Sequence, residues 1–373
     1  MDKVKESKKK FNAKKILIII GIIIGVVIIS SVSFKLGCEL ASEVEDTKSM
    51  NEKKDNGFEG YNRYEVSTYL TFPEWHLVYI SEDYANFIEK NKPSKFPYAR
   101  SIGQFWKGYC SIYGITSKQY EFYLGDHFMI WVIGVSTSVE YGIKGLYENT
   151  VGRVTEWLSY PERGAEDEFA YEFNKEYVAF IYDYPWYMFS FAEKLEELWT
   201  DVDIFGKNML RKWERRWILS LELGAKTVYG AIIKLGTRTI YGTAETEIYA
   251  TVENISAEVF EEESRVKKVK EISSKETIIL LPRYRVFTEL VPKLVQKGVV
   301  FEDIAGNDEI FMTIIAPKEW EYTLVEGEVL FIMQGLNQPA LNRIGVKVPV
   351  EKLHEILPQI EKEHIKIEHL YDY

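Results

Sequence analysis

The chain has 373 residues, 46% of them hydrophobic and 28% charged, with a formal net charge of −11; that is enough for two packed domains and too apolar for a disordered chain. The charge is divided, because the first fifteen residues carry seven lysines against Asp2 and Glu6, so a basic tail precedes an acidic body. An acidic body without a Lys/Arg stripe excludes a general nucleic-acid binder, and two cysteines, Cys38 and Cys110, without CxxC or Cys/His spacing imply no metal.

After the tail (1–15), residues 16–34 form nineteen positions without a charge, bounded by Lys14 and Lys15 on one side and Lys35 on the other. As a helix this stretch is roughly 29 Å long and matches the hydrocarbon core of a bilayer. It is assigned as a transmembrane helix over 16–36, and the lysines place its N-terminal end in the cytoplasm. A cleaved leader is the competing reading, but the apolar run is too long and no A-x-A site follows. Leu36-Gly37-Cys38 resembles a lipoprotein cleavage site, yet Lys35 stands where such a site needs an apolar residue. Residues 37–60 are polar and acidic and read as a tether.

Residues 61–256 read as a mainly helical, membrane-proximal domain. Twenty aromatic residues fall between Phe58 and Trp131, a density that fits a core, a membrane-interface belt or a stacking platform. In FAEKLEELW, Phe191, Leu195, Leu198 and Trp199 recur at helical spacing. Pro73, Pro93, Pro97, Pro161, Pro185 and Gly206 are expected as breaks between helices.

Two stretches in this region pose a membrane question. Residues 128–147 begin as an apolar helix, but Glu140 and Lys144 make a crossing unfavourable or near neutral. At i and i+4, with the acid first, these two are expected to pair with each other. In 211–242, Arg211, Lys212, Arg215 and Arg216 interleave with Trp213 and Trp217, a composition suited to the headgroup level of a membrane. Further membrane-embedded helices are therefore considered at 128–147 and 217–241.

Candidate chemistry is sparse. His76 follows Glu74, and His127 follows Asp126; with Glu140 and Lys144 they would form an acid/base site if the fold brought them together, with Arg153 as an anion contact. Arg153 and Glu156 also form a simple i, i+3 pair. No HExxH, G-x-S-x-G, P-loop or G-x-G-x-x-G is present, so no cofactor is implied.

Residues 257–276 are charge-rich and read as a linker. Over 277–373 the rhythm changes. TIILLP is a strand, and Val286, Phe287, Leu290, Val291 and Leu294 mark a helix. VVFEDI and EIFMTII flank a turn at Ala305–Asp308, EVLFIM is another strand, Leu353, Ile356, Leu357 and Ile360 mark a second helix, and IKIEHLYDY closes the chain. This βαββ(β)αβ order resembles the ferredoxin-like fold in outline. Pro292 and Pro358 inside its two helices are expected to kink or delay them.

The sequence thus points to a membrane-anchored α+β protein: an N-terminal transmembrane helix, an aromatic-rich helical middle domain and a C-terminal ferredoxin-like βαββαβ-type domain. Its body is expected outside the cytoplasm. The bilayer is the first partner, with protein partners or self-association through the C-terminal domain next. A non-enzymatic binding or assembly role is the first functional reading, and a membrane-face enzyme or transporter component using the His76, His127, Glu140 and Lys144 set is the alternative.

Overall fold

The computed structural model describes residues 38, 60–159, 163–240, 246–322 and 326–373, with 235–240 as backbone alone. The basic tail, the span expected over 16–36 and all of 37–60 except Cys38 and Gly60 lie outside them.

Seven α-helices among the described residues precede the first strand: α1 (Val66–Lys90), α2 (Tyr98–Gln119), α3 (Leu124–Tyr147), α4 (Arg153–Leu158), α5 (Ala165–Ile181), α6 (Phe191–Thr200) and α7 (Met209–Ile240), with a π-helical turn, Glu148–Gly152, joining α3 to α4. Pro93 opens a short 3-10 turn, Pro97 caps α2 and Pro185 precedes another 3-10 turn, as punctuation should. Pro73 does not break the chain; it lies inside α1. Phe72 and Pro73 are both buried there, and packing of that face outweighs one lost backbone hydrogen bond. Pro292 and Pro358 are likewise accommodated within helices.

The remaining chain holds β1 (Glu247–Glu253), α8 (Ala257–Glu262), β2 (Lys267–Glu271), β3 (Glu276–Pro282), α9 (Arg285–Gln296), β4 (Val300–Ile304), β5 (Glu309–Pro317), β6 (Glu328–Gln334), β7 (Leu341–Pro349), α10 (Leu353–Lys362) and β8 (Lys366–Tyr371). The fold is therefore α+β. The strands expected over 277–373 do not all lie in one sheet: β3 and β4 pair with β1, and β5 to β8 form another sheet. The strands make two antiparallel sheets, in order β2-β3-β1-β4 and β6-β7-β5-β8. The first sheet is built from strand, helix, two strands, helix and strand, and the second from three strands, a helix and a fourth strand, yet the strands take corresponding places in the two. The stretch 257–276, read as a linker, supplies α8 and β2 and belongs to the first sheet. β4 and β5 are joined by a tight two-residue turn in which Ala305 and Gly306 take positive φ, but their pairing stops at the Ile304–Asn307 bridge and β5 enters the other sheet.

Apolar residues of both sheets, including Ile279, Phe301, Ile314 and Val346, share one core with Leu290 of α9 and Leu357 of α10. On β5, Met312 and Ile314 enter that core, while Phe311 points the other way into an aromatic cluster with Phe72, Tyr79, Phe105, Phe331 and Tyr371. This alternation follows from the two-residue period of a strand. The second sheet is consequently covered on both faces, by α9 and α10 on one side and by the aromatic helices on the other. The Thr68 hydroxyl clips α1 to it, donating to the Tyr371 carbonyl and accepting from the Phe311 amide at 3.1 Å.

Candidate functional site

α7 is the polar spine of the helical layer. Its four cations face inward, where Arg211, Lys212, Arg215 and Arg216 are all buried. Five carboxylates meet them. Arg215 pairs with Glu148 at 2.6 Å and Asp167 at 3.1 Å; Arg216 pairs with Glu166 at 2.9 Å and also donates to the Val202 and Asp203 carbonyls. Lys212 reaches Glu166 at 3.0 Å, and Arg211 reaches Glu214 at 2.8 Å and Glu156 at 3.3 Å. Two local features supply the acids. Glu166 and Asp167 stand in the first turn of α5, where carboxylates suit the positive end of the helix. The π-helical turn carries Glu148 inward, and Gly152 leaves it room, since a Cβ there would lie 2.5 Å from the Glu148 carboxylate.

This arrangement corrects the headgroup reading of Arg211, Lys212, Arg215 and Arg216. Carboxylates from the π turn, α4, α5 and α7 itself compete for the cations and draw them inside. Trp213 is half-buried, with its ring centroid 6.1 Å from that of Trp199, whereas Trp217 stands 58% exposed. Lys14 and Lys15 lie outside the described residues.

A second ionic cluster lies further along α7. Glu140 and Lys144 do not pair with each other as their spacing predicts: Lys144 binds Glu222 at 2.9 Å, and Lys226 binds Glu140 at 2.9 Å and Glu222 at 3.3 Å. Burial pushes the Glu222 carboxyl up, but Lys144 and Lys226 outweigh it and hold the group at about 2. The Lys144 ammonium also sits 4.3 Å from the centre of the Tyr84 ring. These contacts run antiparallel, 140 to 226 and 144 to 222, and continue through Tyr147 to Glu214 and Glu148 to Arg215. The acids and lysines are charge-neutralised and hold α3 against α7. They are not placed to pass a proton.

The histidines stand elsewhere. His76 is fully buried beside Phe72 and Phe105, neither ring nitrogen has a hydrogen-bond partner among the described residues, and burial with nearby Arg343 lowers its pKa to about 3. His127 is buried against Phe122, Tyr113 and Trp131, and its Nδ1 meets the Tyr109 hydroxyl at 3.1 Å. Arg153 donates to the Ser94 carbonyl and to Asn149, while Glu156 turns to Ser94 and Arg211. Thus His76, His127 and the Glu140/Lys144 pair occupy three separate surroundings, and the acid/base site they would have formed is not assembled.

The sequence reading missed the ionic centre of the second sheet. Arg343 on β7 holds Glu368 on β8 in a two-pronged pair at 2.7 and 2.8 Å, lies 3.9 Å from Asp83 of α1 and covers the Tyr79 ring. Next to it the His369 ring lies tilted against Trp75, ring centres 4.0 Å apart, and meets the Thr288 hydroxyl at 3.1 Å. Nothing local in sequence joins these residues. Among the described residues no group of three His, Cys, Asp or Glu side chains is placed to hold a metal ion.

Cys38 and Cys110 are joined by a disulfide, 72 residues apart in sequence. Cys110 is on α2, one residue past Tyr109 and one turn past Trp106. Both of those side chains bond to α3, Trp106 to Ser138 and Tyr109 to His127 and Trp131. Close approach of α2 and α3 depends on Gly134, where a Cβ would lie 2.4 Å from the Phe105 ring and 2.9 Å from that of Trp106. Among the described residues no helix is long and apolar enough to cross a membrane, 128–147 and the described part of 217–241 included. Their ionisable residues, Glu140, Lys144, Glu222 and Lys226, are the reason. No family model, curated protein or solved structure matches the chain.

Proposed function

We propose that the chain is a single-pass membrane protein of the cell envelope, anchored by residues 16–36 with its basic tail in the cytoplasm, whose body lies outside and works by binding or assembling protein partners. The observation that carries this reading is the Cys38–Cys110 disulfide. Structural disulfides persist in oxidising compartments and are rare in the cytosol, and Cys38 lies four residues beyond the apolar run. The bond also changes the role of the tether. Residues 39–59 connect two points that both belong to the body, Cys38 and Gly60, instead of spacing the body from the membrane.

Edge-to-edge pairing of sheets is disfavoured as the mode of assembly. The edge strand β2 carries exposed Lys267, Lys268 and Lys270, which discourage pairing. Gln104 and Lys107 of α2 bond the Gln334 and Ile332 carbonyls of edge strand β6, and Thr68 occupies the Tyr371 carbonyl of β8. The sheet domain instead offers a groove of about 430 Å³ between α9, α10 and β8, lined by Pro292, Val295, Leu357, Ile360 and Ile367, a size and apolar character suited to a ligand or a partner's side chains.

Two measurements test this. A protease site inserted after Gly206, in the loop before α7, should be cut by protease added to intact cells; protection until lysis would place the body inside. A photocrosslinking residue at Gln296, exposed on the lip of the groove, should give a discrete adduct in cells, and recovery of the uncrosslinked chain alone argues against a partner there.

A further inference from the structure

Nineteen of the twenty-five large apolar side chains that stand exposed among the described residues fall in two stretches, 122–158 and 204–232. The antiparallel line of contacts between α3 and α7 puts them side by side. Along α3, the π turn and α4 the outward residues include Phe128, Val139, Ile143, Leu146, Val154 and Trp157. Along α7 between 217 and 232 the exposed residues are Trp217, Leu221, Ala225, Val228, Ala231 and Ile232, and none is charged. Glu140 and Lys144 of α3 and Glu222 and Lys226 of α7 pair with one another between the helices instead.

We propose that this face beds into the outer leaflet of the bilayer, with α3 and α7 lying in the membrane plane and the α2 flank that carries Cys110 turned toward the lipid. The inference rests on the anchored reading above, and three observations select lipid as the occupant. The apolar run ends four residues before Cys38, a reach of at most about 14 Å of extended chain, so the disulfide holds α2, and with it α3, close to the membrane surface. Helices that lie in the interface bury an apolar face about 5–10 Å into the boundary between headgroups and acyl chains, which matches an uncharged stripe on a helix too polar on its inner side to cross. Trp157, 82% exposed, and Trp217, 58% exposed, are side chains that settle at headgroup level.

The test uses the full chain reconstituted in phosphatidylcholine vesicles whose lipid carries bromine at a shallow or a deep position of the acyl chain. Tryptophan emission should be quenched by the shallow bromines and little by the deep ones, and the double substitution Trp157→Phe, Trp217→Phe should remove most of the lipid-dependent loss. Leu221→Glu with Val228→Glu should also abolish the quenching while the protein still floats with the vesicles after an alkaline wash; an unchanged denaturation midpoint in detergent establishes that this variant folds. Failure to float overturns the anchored reading and this inference with it. Flotation without quenching overturns the inference alone and leaves the anchor. Burial of Trp157 and Trp217 that varies with protein-to-lipid ratio, or that persists without lipid, assigns the face to a second copy or to residues 16–34 and likewise overturns it.

Discussion

In the sheet domain, Leu290, Phe301, Ile314 and Val346 fill the interior while Lys267, Lys268 and Glu271 stand outside. In the α3–α7 layer the pattern is reversed, with Arg215, Arg216, Glu148 and Glu166 buried and Leu221, Val228, Ile143 and Trp157 exposed. The first arrangement is what water on every side selects. Paired charge within and uncharged apolar surface without suits a layer whose outer face meets something other than water. The two regions are also stabilised differently. Both bury apolar area, but the α3–α7 layer adds a run of buried ion pairs that are costly to break singly.

The largest expected effect follows from that difference. Arg215→Met leaves the buried Glu148 carboxylate without its cation and should cost about 3–5 kcal/mol in urea denaturation, with loss concentrated in α3–α7 rather than in the two sheets as seen by hydrogen exchange. A cost under about 1 kcal/mol would remove the ionic spine from the account of stability. Next, Cys110→Ala should cost about 2–4 kcal/mol and release Cys38 from the body; unchanged stability would mean that the bond closes no constrained loop.

A smaller effect separates the histidines from the carboxylates. The folded pKa of His76 is lowered to about 3, so the neutral ring contributes stability that is full above the unfolded value of about 6.5 and is lost as pH falls toward 3. Relative to wild type, His76→Leu should therefore gain about 1.4 kcal/mol per pH unit below about 6.5. Asp83, which burial pushes up to about 6 against the pull of Arg343, acts with the opposite sign but is common to both proteins and cancels. A difference independent of pH would show that His76 is not buried neutral. The smallest effect belongs to the outer face: Leu221→Ser and Val228→Ser should each change stability in detergent by no more than about 0.5 kcal/mol, and a loss of about 2 kcal/mol would show that these side chains pack inside the protein.

The helices at 128–147, 191–199 and 211–242 were legible because they carry a 3.6-residue apolar rhythm, and so were α9, α10 and β8, whereas α1, with Pro73 inside it, was not. The doubled sheet was not. β2, KKVKE, is an edge strand with most of its side chains in solvent, so it carries no alternation and reads as a linker. The turn at Ala305 and Gly306 is a hairpin turn by its positive φ angles and its Ile304–Asn307 bridge, so nothing local tells that β5 goes on to pair in another sheet. At the candidate sites, local spacing offered Glu140 and Lys144 to each other, whereas their partners Lys226 and Glu222 are roughly eighty residues away. One signal in α7 was available: Arg211, Arg215, Glu222 and Lys226 share a face opposite Trp217, Leu221 and Val228, which marks the cations as inward-facing if the apolar stripe faces outward.

The most direct measurement is the thiol state of Cys38 and Cys110 in protein taken from intact membranes under alkylation. An extracytoplasmic body pinned to its anchor requires that no thiol react before reduction and that two react after it. Two alkylated cysteines without any reductant would contradict both the compartment and the attachment of α2 to the membrane-spanning end.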